Sequence, residues 1–313
     1  MAETRPTAHK KPYRLLIQTH QESGPETPAW ILTSPHSGHL YPEEFIKNSL
    51  LSAHDLRRSE DAHIDRLLEQ APQYGAAVLA AIYPRAYLDL NREAYELDPD
   101  MFADTLPDHV ITNSVRIKAG LGTVARIVAD RMPIYPERLS FAEADQRIKE
   151  IHVPFHAKLK DLLVQAVTKY GQAYLLDIHS MPSSALAHLR AQRNHMPEII
   201  LGDRHGRSCT SELTQEVEAY LTENGYRVGR NTPYAGGYIT QSYGLQSRIP
   251  NLQNNVHALQ IEISRALYMD EKTYLCHEGF ARLQDTLMGL LSHLQKAIPT
   301  QKSEIKLAAR NAD

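Results

Sequence analysis

The chain has 313 residues, of which 42% are apolar and 23% charged, with a formal net charge of -3 at pH 7. That length is enough to bury a large core, as one α/β domain or two smaller ones, and the composition is that of an ordinary soluble globular protein. A charge balance this close to neutral gives no electrostatic basis for binding nucleic acid or an anionic membrane surface. Two cysteines, Cys209 and Cys276, exclude a disulfide framework and a thiolate zinc knot, and suit a reducing cytoplasm. No apolar run approaches the roughly 20 residues that cross a bilayer. Residues 1–12 lack the hydrophobic stretch of a secretory signal and read as a flexible leader. Residues 299–313 are polar and Lys-rich and read as a flexible tail, which leaves 13–298 as one folded domain.

In chain order, Trp30-Ile31-Leu32-Thr33 is a short apolar run that stops on Ser34-Pro35-His36-Ser37-Gly38. It reads as a buried strand with polar groups at its carboxyl end. Ala53–Gln70 has helical spacing through Leu56, Ile64, Leu67 and Leu68, and Asp61 and Asp65, four apart, would share a face. Strands are expected over Ala76–Ile82 and Ala86–Leu90, the second running into Asn91-Arg92. Residues 93 to 136 lack periodicity and read as a long ordered loop with a short strand pair around Val124–Val128, and such loops are more often functional than idle. Within it, Lys118 to Gly122 suits a mobile lid. Ser140 with Glu143 forms a capping box for a helix that continues to Tyr170, with a kink at Pro154.

Tyr174-Leu175-Leu176 repeats the first design more clearly: an apolar run that stops on Asp177, His179 and Ser180. Glu198–Leu201 is a further strand, Ser208–Asn224 a helix closed by Gly225, and His257–Ile263 the last strand; a helix follows Asp270 to about Lys296. The alternation favours a single three-layer α/β/α domain around a largely parallel mixed sheet.

Several of these strands carry metal-type or carboxylate-binding side chains at their carboxyl ends, where open α/β sheets build sites. They are His36, Asn91-Arg92, Asp177 with His179, Asp203 with His205, and Glu262. Two histidines and a carboxylate from the Ala53–Gln70 helix would fill three positions of a catalytic zinc and leave the fourth for water. Glu262 stands inside the apolar run Ala-Leu-Gln-Ile-Glu-Ile, where a buried carboxylate needs a partner or a catalytic task. Gly236-Gly237 lets backbone approach a ligand, and Arg85 and Arg265 are further cations for a substrate carboxylate. Gly120-Leu121-Gly122 is no dinucleotide fingerprint, since Arg126 stands where the third Gly belongs, and neither Ser37 nor Ser180 sits in a Gly-x-Ser-x-Gly elbow.

The ordered set of motifs resembles the N-formylglutamate amidohydrolase family, zinc enzymes similar in architecture to zinc carboxypeptidases. The resemblance runs through Ser34 to Gly38, Asp61 to Leu67, Asp89 to Arg92, Leu176 to Pro182, Leu201 to Gly206, Asn231 to Thr240 and Gln260 to Arg265, and spans roughly residues 30 to 295. It implies a catalytic domain that cleaves a small N-acyl amino acid bearing a carboxylate, in the best-known case N-formyl-L-glutamate to formate and glutamate. It further implies one Zn2+ on His36, Asp61 and His179, Glu262 as base, and Asn91-Arg92 on a substrate carboxylate. Glu60 beside Asp61 stays open as the acidic ligand, and Ala62 departs from the family pattern, which has an aromatic there. A related zinc amidase acting on a cell-wall peptide or another acyl amino acid, and a non-catalytic metal-dependent binding protein, are the alternatives.

Overall fold

A computed structural model describes residues 11–20, 24–128, 131–186 and 196–300, so most of the expected leader and tail lies outside the described residues. Among these residues seven strands form one mixed sheet: β1 (Tyr13–Leu16), β2 (Trp30–Ser34), β3 (Ala76–Ala81), β4 (Ala173–Met181), β5 (Ile199–Gly202), β6 (Val228–Arg230) and β7 (Val256–Ser264). Their order across the sheet is β1-β3-β2-β4-β7-β5-β6. The four central strands β3, β2, β4 and β7 run parallel; β1 is antiparallel to β3 and β5 to β7, while β6 runs parallel to β5.

Every residue of β2, β3, β4 and β7 is buried, as expected for strands covered on both faces. Tyr174, Leu176 and Ile178 point into one core, shared with the helices Ser211–Glu223 and Gly279–Ala297. Ala173 and Leu175 point into the other, against Leu159, Leu162 and Leu163 of the helix Val153–Tyr170. Burying each such Leu or Ile contributes roughly 1.5–3 kcal/mol, so both faces must be covered and three layers result. No helix among the described residues is long and apolar enough to cross a membrane.

Parallel pairing brings the carboxyl ends of β2, β4 and β7 to one edge, and the register sets His179 directly beside Glu262. The Asp203–His205 turn does not join them at that edge. Because β5 is antiparallel to β7, Gly202 pairs with Gln260, and the chain leaves in the opposite direction. Asp203 braces a turn instead, accepting from Gly206 N–H at 3.0 Å and Asn231 Nδ2 at 2.8 Å, while His205 is exposed.

The other departures from expectation have local causes. Ala53–Gln70 is broken into helical turns at Ala53–Leu56, Arg57–Ser59 and Ile64–Leu67, with His63 left-handed at φ 66. The break is made by long-range bonds: Asp61 N–H donates to the His36 carbonyl at 3.0 Å, and Arg265 Nη1 donates to the Arg58 carbonyl at 3.0 Å. Asp61 and Asp65 therefore share no helix face, and Asp65 pairs with Arg14 at 3.0 Å. Ala86–Leu90 is a turn, with Leu88 N–H bonded to the Pro84 carbonyl, and the strand pair at Val124–Val128 reduces to one isolated bridge, Ile127 to Pro133. Ser140 caps its helix at the Glu143 N–H, 3.2 Å, but the Glu143 side chain turns to Arg147. In place of the expected kink at Pro154, a wide π turn stands at Ile148–His152, since Pro154 has no N–H to give to the preceding turn. The last helix starts at Gly279; Asp270 instead organises a turn through Lys272 and Thr273.

Candidate metal centre and active site

Three acceptor atoms converge at the end of β2 and β4. His36 Nδ1 lies 3.0 Å from His179 Nδ1, and Asp61 Oδ2 is 3.1 Å from His179 Nδ1 and 3.4 Å from His36 Nδ1. All three residues are buried. The outer ring nitrogens are engaged by carboxylates: His36 Nε2 with Asp89 Oδ1 at 2.7 Å, and His179 Nε2 with Asp177 Oδ2 at 2.9 Å. If each Nε2 carries its proton toward its carboxylate, both Nδ1 atoms present lone pairs to each other and to Asp61, an arrangement that calls for a cation. Ligand atoms at about 2.0–2.2 Å from one tetrahedral ion stand roughly 3.3–3.6 Å apart, within a few tenths of an ångström of the triangle here.

Electrostatics gives the same answer. Burial favours a neutral His179, yet the charge and hydrogen bond of Asp177, with Asp61 and Glu262, hold its pKa well above the ordinary imidazole value. Burial opposes ionisation of Asp61, and the two histidines outweigh it and keep its pKa well below the carboxylate range. The centre therefore demands positive charge, from a proton or from a metal ion, and the His36–Asp61–His179 group can hold a metal.

Glu60 faces away from this cluster. Its carboxylate accepts from Arg57 Nε at 3.1 Å and Tyr41 hydroxyl at 3.1 Å, so Asp61 is the acidic residue that meets the histidines. Asp61 Oδ1 is steadied by Ser180 Oγ at 3.2 Å and Arg265 Nη2 at 3.4 Å. The remaining Arg265 nitrogens donate to Ser180 Oγ and the Arg58 carbonyl, so this guanidinium, which also lines the cavity, holds the acidic corner.

A cavity of about 640 Å³ opens over the cluster, within the usual 300–1,000 Å³ of small-ligand sites. Glu262, Arg85, Asn91, Arg92, Gly236 and Gly237 all line it. Among the described residues Glu262 makes one hydrogen bond, accepting from Gln260 Nε2 on Oε1 at 2.8 Å, which leaves Oε2 uncommitted. Its pKa is raised to about 7, first by burial, with His179 and Arg85 lowering it and Asp61 and Asp177 raising it. Arg85 donates Nη2 to Asp89 Oδ2 at 2.7 Å, and Arg92 donates Nε to the Leu121 carbonyl at 2.9 Å and Nη1 to the Asn91 carbonyl at 2.8 Å. Asn91 is turned inward: Nδ2 lies 3.2 Å from His179 Nε2 and 3.4 Å from Asp177 Oδ2, and Oδ1 accepts the Ile239 N–H at 2.8 Å. Gly237 is required there, because a Cβ would stand 2.3 Å from Asn91 Nδ2.

Residues that sequence reasoning did not single out complete the site. Asp89 orients His36 and also accepts the Asn91 N–H at 2.9 Å. Gln260 accepts the Gly237 N–H at 2.8 Å and donates to Glu262, tying the glycine loop to the carboxylate. Its signal was available, since Gln260 and Glu262 are two apart on a strand and share a face. The Lys118 to Gly122 segment forms a wall of the cavity through Ala119 and Leu121.

The N-formylglutamate amidohydrolase family matches residues 29–269. The chain is 30% identical to an N-formylglutamate deformylase of Pseudomonas aeruginosa over 247 residues, covering 77% of this chain and 82% of that protein. A Pseudomonas putida protein of the same description is 28% identical over 244 residues, with 77% and 82% covered. Among solved structures, an N-formylglutamate amidohydrolase from Ralstonia eutropha superposes with a TM-score of 0.81 at 35% identity, covering 92% of this chain and 98% of that one. A family match over most of the folded region, relatives of similar length and a shared fold agree, and the chain belongs to the N-formylglutamate amidohydrolase family.

Proposed function

We propose that this chain hydrolyses the formyl amide of N-formyl-L-glutamate to formate and glutamate, with one zinc ion held by His36, Asp61 and His179. The carrying observation is the triangle of acceptors at 3.0–3.4 Å, set in one cavity with Glu262 and Arg92. The substrate follows from family membership and from the names of relatives that align over four-fifths of their length. When bound, zinc lowers the pKa of a water towards neutrality and polarises the acyl carbonyl. Asp89 and Asp177 hold His36 and His179 with Nδ1 inward. Glu262 Oε2 takes the proton of the attacking water as the new C–O bond forms, and returns it to the amide nitrogen as the C–N bond breaks. Arg92, with Arg85 beside it, orients a substrate carboxylate, which converts binding energy into alignment of the carbonyl. Both cysteines are free, which supports placing the enzyme in the cytoplasm.

Purified protein assayed for elements and for formate release should contain about one zinc per chain and liberate formate and glutamate in equal amounts. A chelator should abolish the activity and added zinc restore it. Full activity in metal-stripped protein would sink the metal assignment.

Arg92→Lys keeps the charge and loses the planar fork. A charged hydrogen bond contributes about 1.5–3 kcal/mol, so kcat/KM on N-formylglutamate should fall roughly ten- to a hundredfold. The loss should be much smaller on a formyl amine without the carboxylate. Equal losses on both would mean that Arg92 serves the fold through its Leu121 and Asn91 carbonyl contacts.

A further inference from the structure

Arg116 carries a charge that this mechanism leaves unused. It belongs to the short helix Val115–Lys118, whose Ser114 cap accepts the Ile117 N–H at 3.0 Å, and it lines the same cavity as Glu262 and Arg92. Buried Glu96 anchors it: Glu96 Oε1 accepts the Ser114 hydroxyl, and Oε2 stands 3.7 Å from Arg116 Nη1. At 3.7 Å this is an ion pair without a direct hydrogen bond, so Glu96 takes up none of the guanidinium's donors. The segment also closes back on Arg92. Leu121 N–H donates to the Arg116 carbonyl at 2.8 Å, and the Leu121 carbonyl accepts Arg92 Nε at 2.9 Å.

Arg85, Arg92 and Arg116 line the one cavity, and Arg92 feels the charges of the other two. Arg85 is bonded to Asp89, which also holds His36, and it feels the charges of Asp61 and Glu262. Burial lowers the pKa of Arg92, and the charges of Arg85 and Arg116 lower it further against the pull of Asp89. Among the described lining residues, six are arginines (Arg58, Arg85, Arg92, Arg116, Arg131, Arg265) and three are carboxylates (Asp61, Asp89, Glu262). That excess suits a ligand with more than one negative charge.

We propose that Arg116 reads the second carboxylate of the substrate, so that with Arg92 on one carboxylate the site selects N-formyl derivatives of dicarboxylic amino acids. This rests on the amidohydrolase reading above. The competing role for Arg116 is neutralisation of buried Glu96 alone. N-formyl-L-glutamine separates the two, because it keeps the length of N-formyl-L-glutamate and replaces the side-chain carboxylate by a neutral amide.

The test compares wild type, Arg116→Gln and Arg116→Lys on both compounds by formate release. Arg116→Gln should lower kcat/KM on N-formylglutamate roughly ten- to a hundredfold. Its loss on N-formylglutamine should be several-fold smaller, so the preference between the two collapses. Arg116→Lys, which still neutralises Glu96 but lacks the fork, should fall between. The ratio of the two substrates is insensitive to how much protein folds. Equal losses on both compounds, or no loss on either, would overturn the proposal. Wild type that binds zinc yet releases no formate from N-formylglutamate would overturn both the proposal and the reading beneath it.

Discussion

His179→Ala should give a folded protein that holds far less than one metal ion per chain and releases no measurable formate. The substitution removes one of three converging atoms, and the His36 and Asp61 pair that remains is 3.4 Å apart with nothing to close the triangle. Loss of an outer partner of a metal ligand typically costs 10–100-fold in affinity or activity, and loss of the ligand itself must cost more. Asp177→Asn is the matched control, since it disturbs the outer bond at 2.9 Å and the Asn91 bond on the same oxygen, leaves the three converging atoms in place, and should fall in that smaller range. The fold should survive because Asp177 keeps the Thr33 hydroxyl at 2.7 Å and Asn91 Nδ2 at 3.4 Å as partners. Both cores that flank β4 are untouched as well. Elemental analysis with thermal unfolding decides the matter. Full metal occupancy in a folded His179→Ala protein would remove this residue from the centre.

The parts of the site readable from sequence are those dictated by strands. His36, His179 and Glu262 stand at or near the ends of runs that are buried on both faces, where a polar side chain must be paired or catalytic. Parallel pairing then brings them together without further information. Strand direction is a different matter. The Asp203 segment has the same local pattern, and only the antiparallel pairing of β5 with β7 sends it elsewhere. Asp61 was legible as a candidate but not in its setting. The helical spacing around it is real, and it is overridden because its N–H goes to the His36 carbonyl, 25 positions away, and Arg265 reaches the Arg58 carbonyl. Periodicity reports local preference, and bonds of that span override it. The same holds for Asp89, whose partners His36, Arg85 and the Asn91 N–H make it the junction between the metal centre and the arginines. Nothing in its local sequence announces that junction.

Glu262→Gln should retain both the fold and a full complement of metal, and lose about 10²–10⁴-fold in kcat, the scale of general base catalysis. Glutamine has the shape of the glutamate, and its carbonyl oxygen can go on accepting Gln260 Nε2, the 2.8 Å bond that fixes the side chain. The amide nitrogen then takes the place of Oε2 in the cavity wall, where it can donate but cannot accept a proton. What is removed is therefore the proton acceptor alone. Burial has raised the pKa of Glu262 to about 7, close to the pH at which a base both remains ionised and binds a proton firmly. The lost interaction belongs to the transition state rather than to the bound substrate, so kcat and kcat/KM should fall together, with KM little changed. Two results would count against this role. A Glu262→Gln protein that loses its metal would make Glu262 a ligand and put Asp61 in question. One that keeps both metal and rate would mean that the proton leaves the water by another route, and that Glu262 is held at the cavity wall only to balance His179 and Arg85.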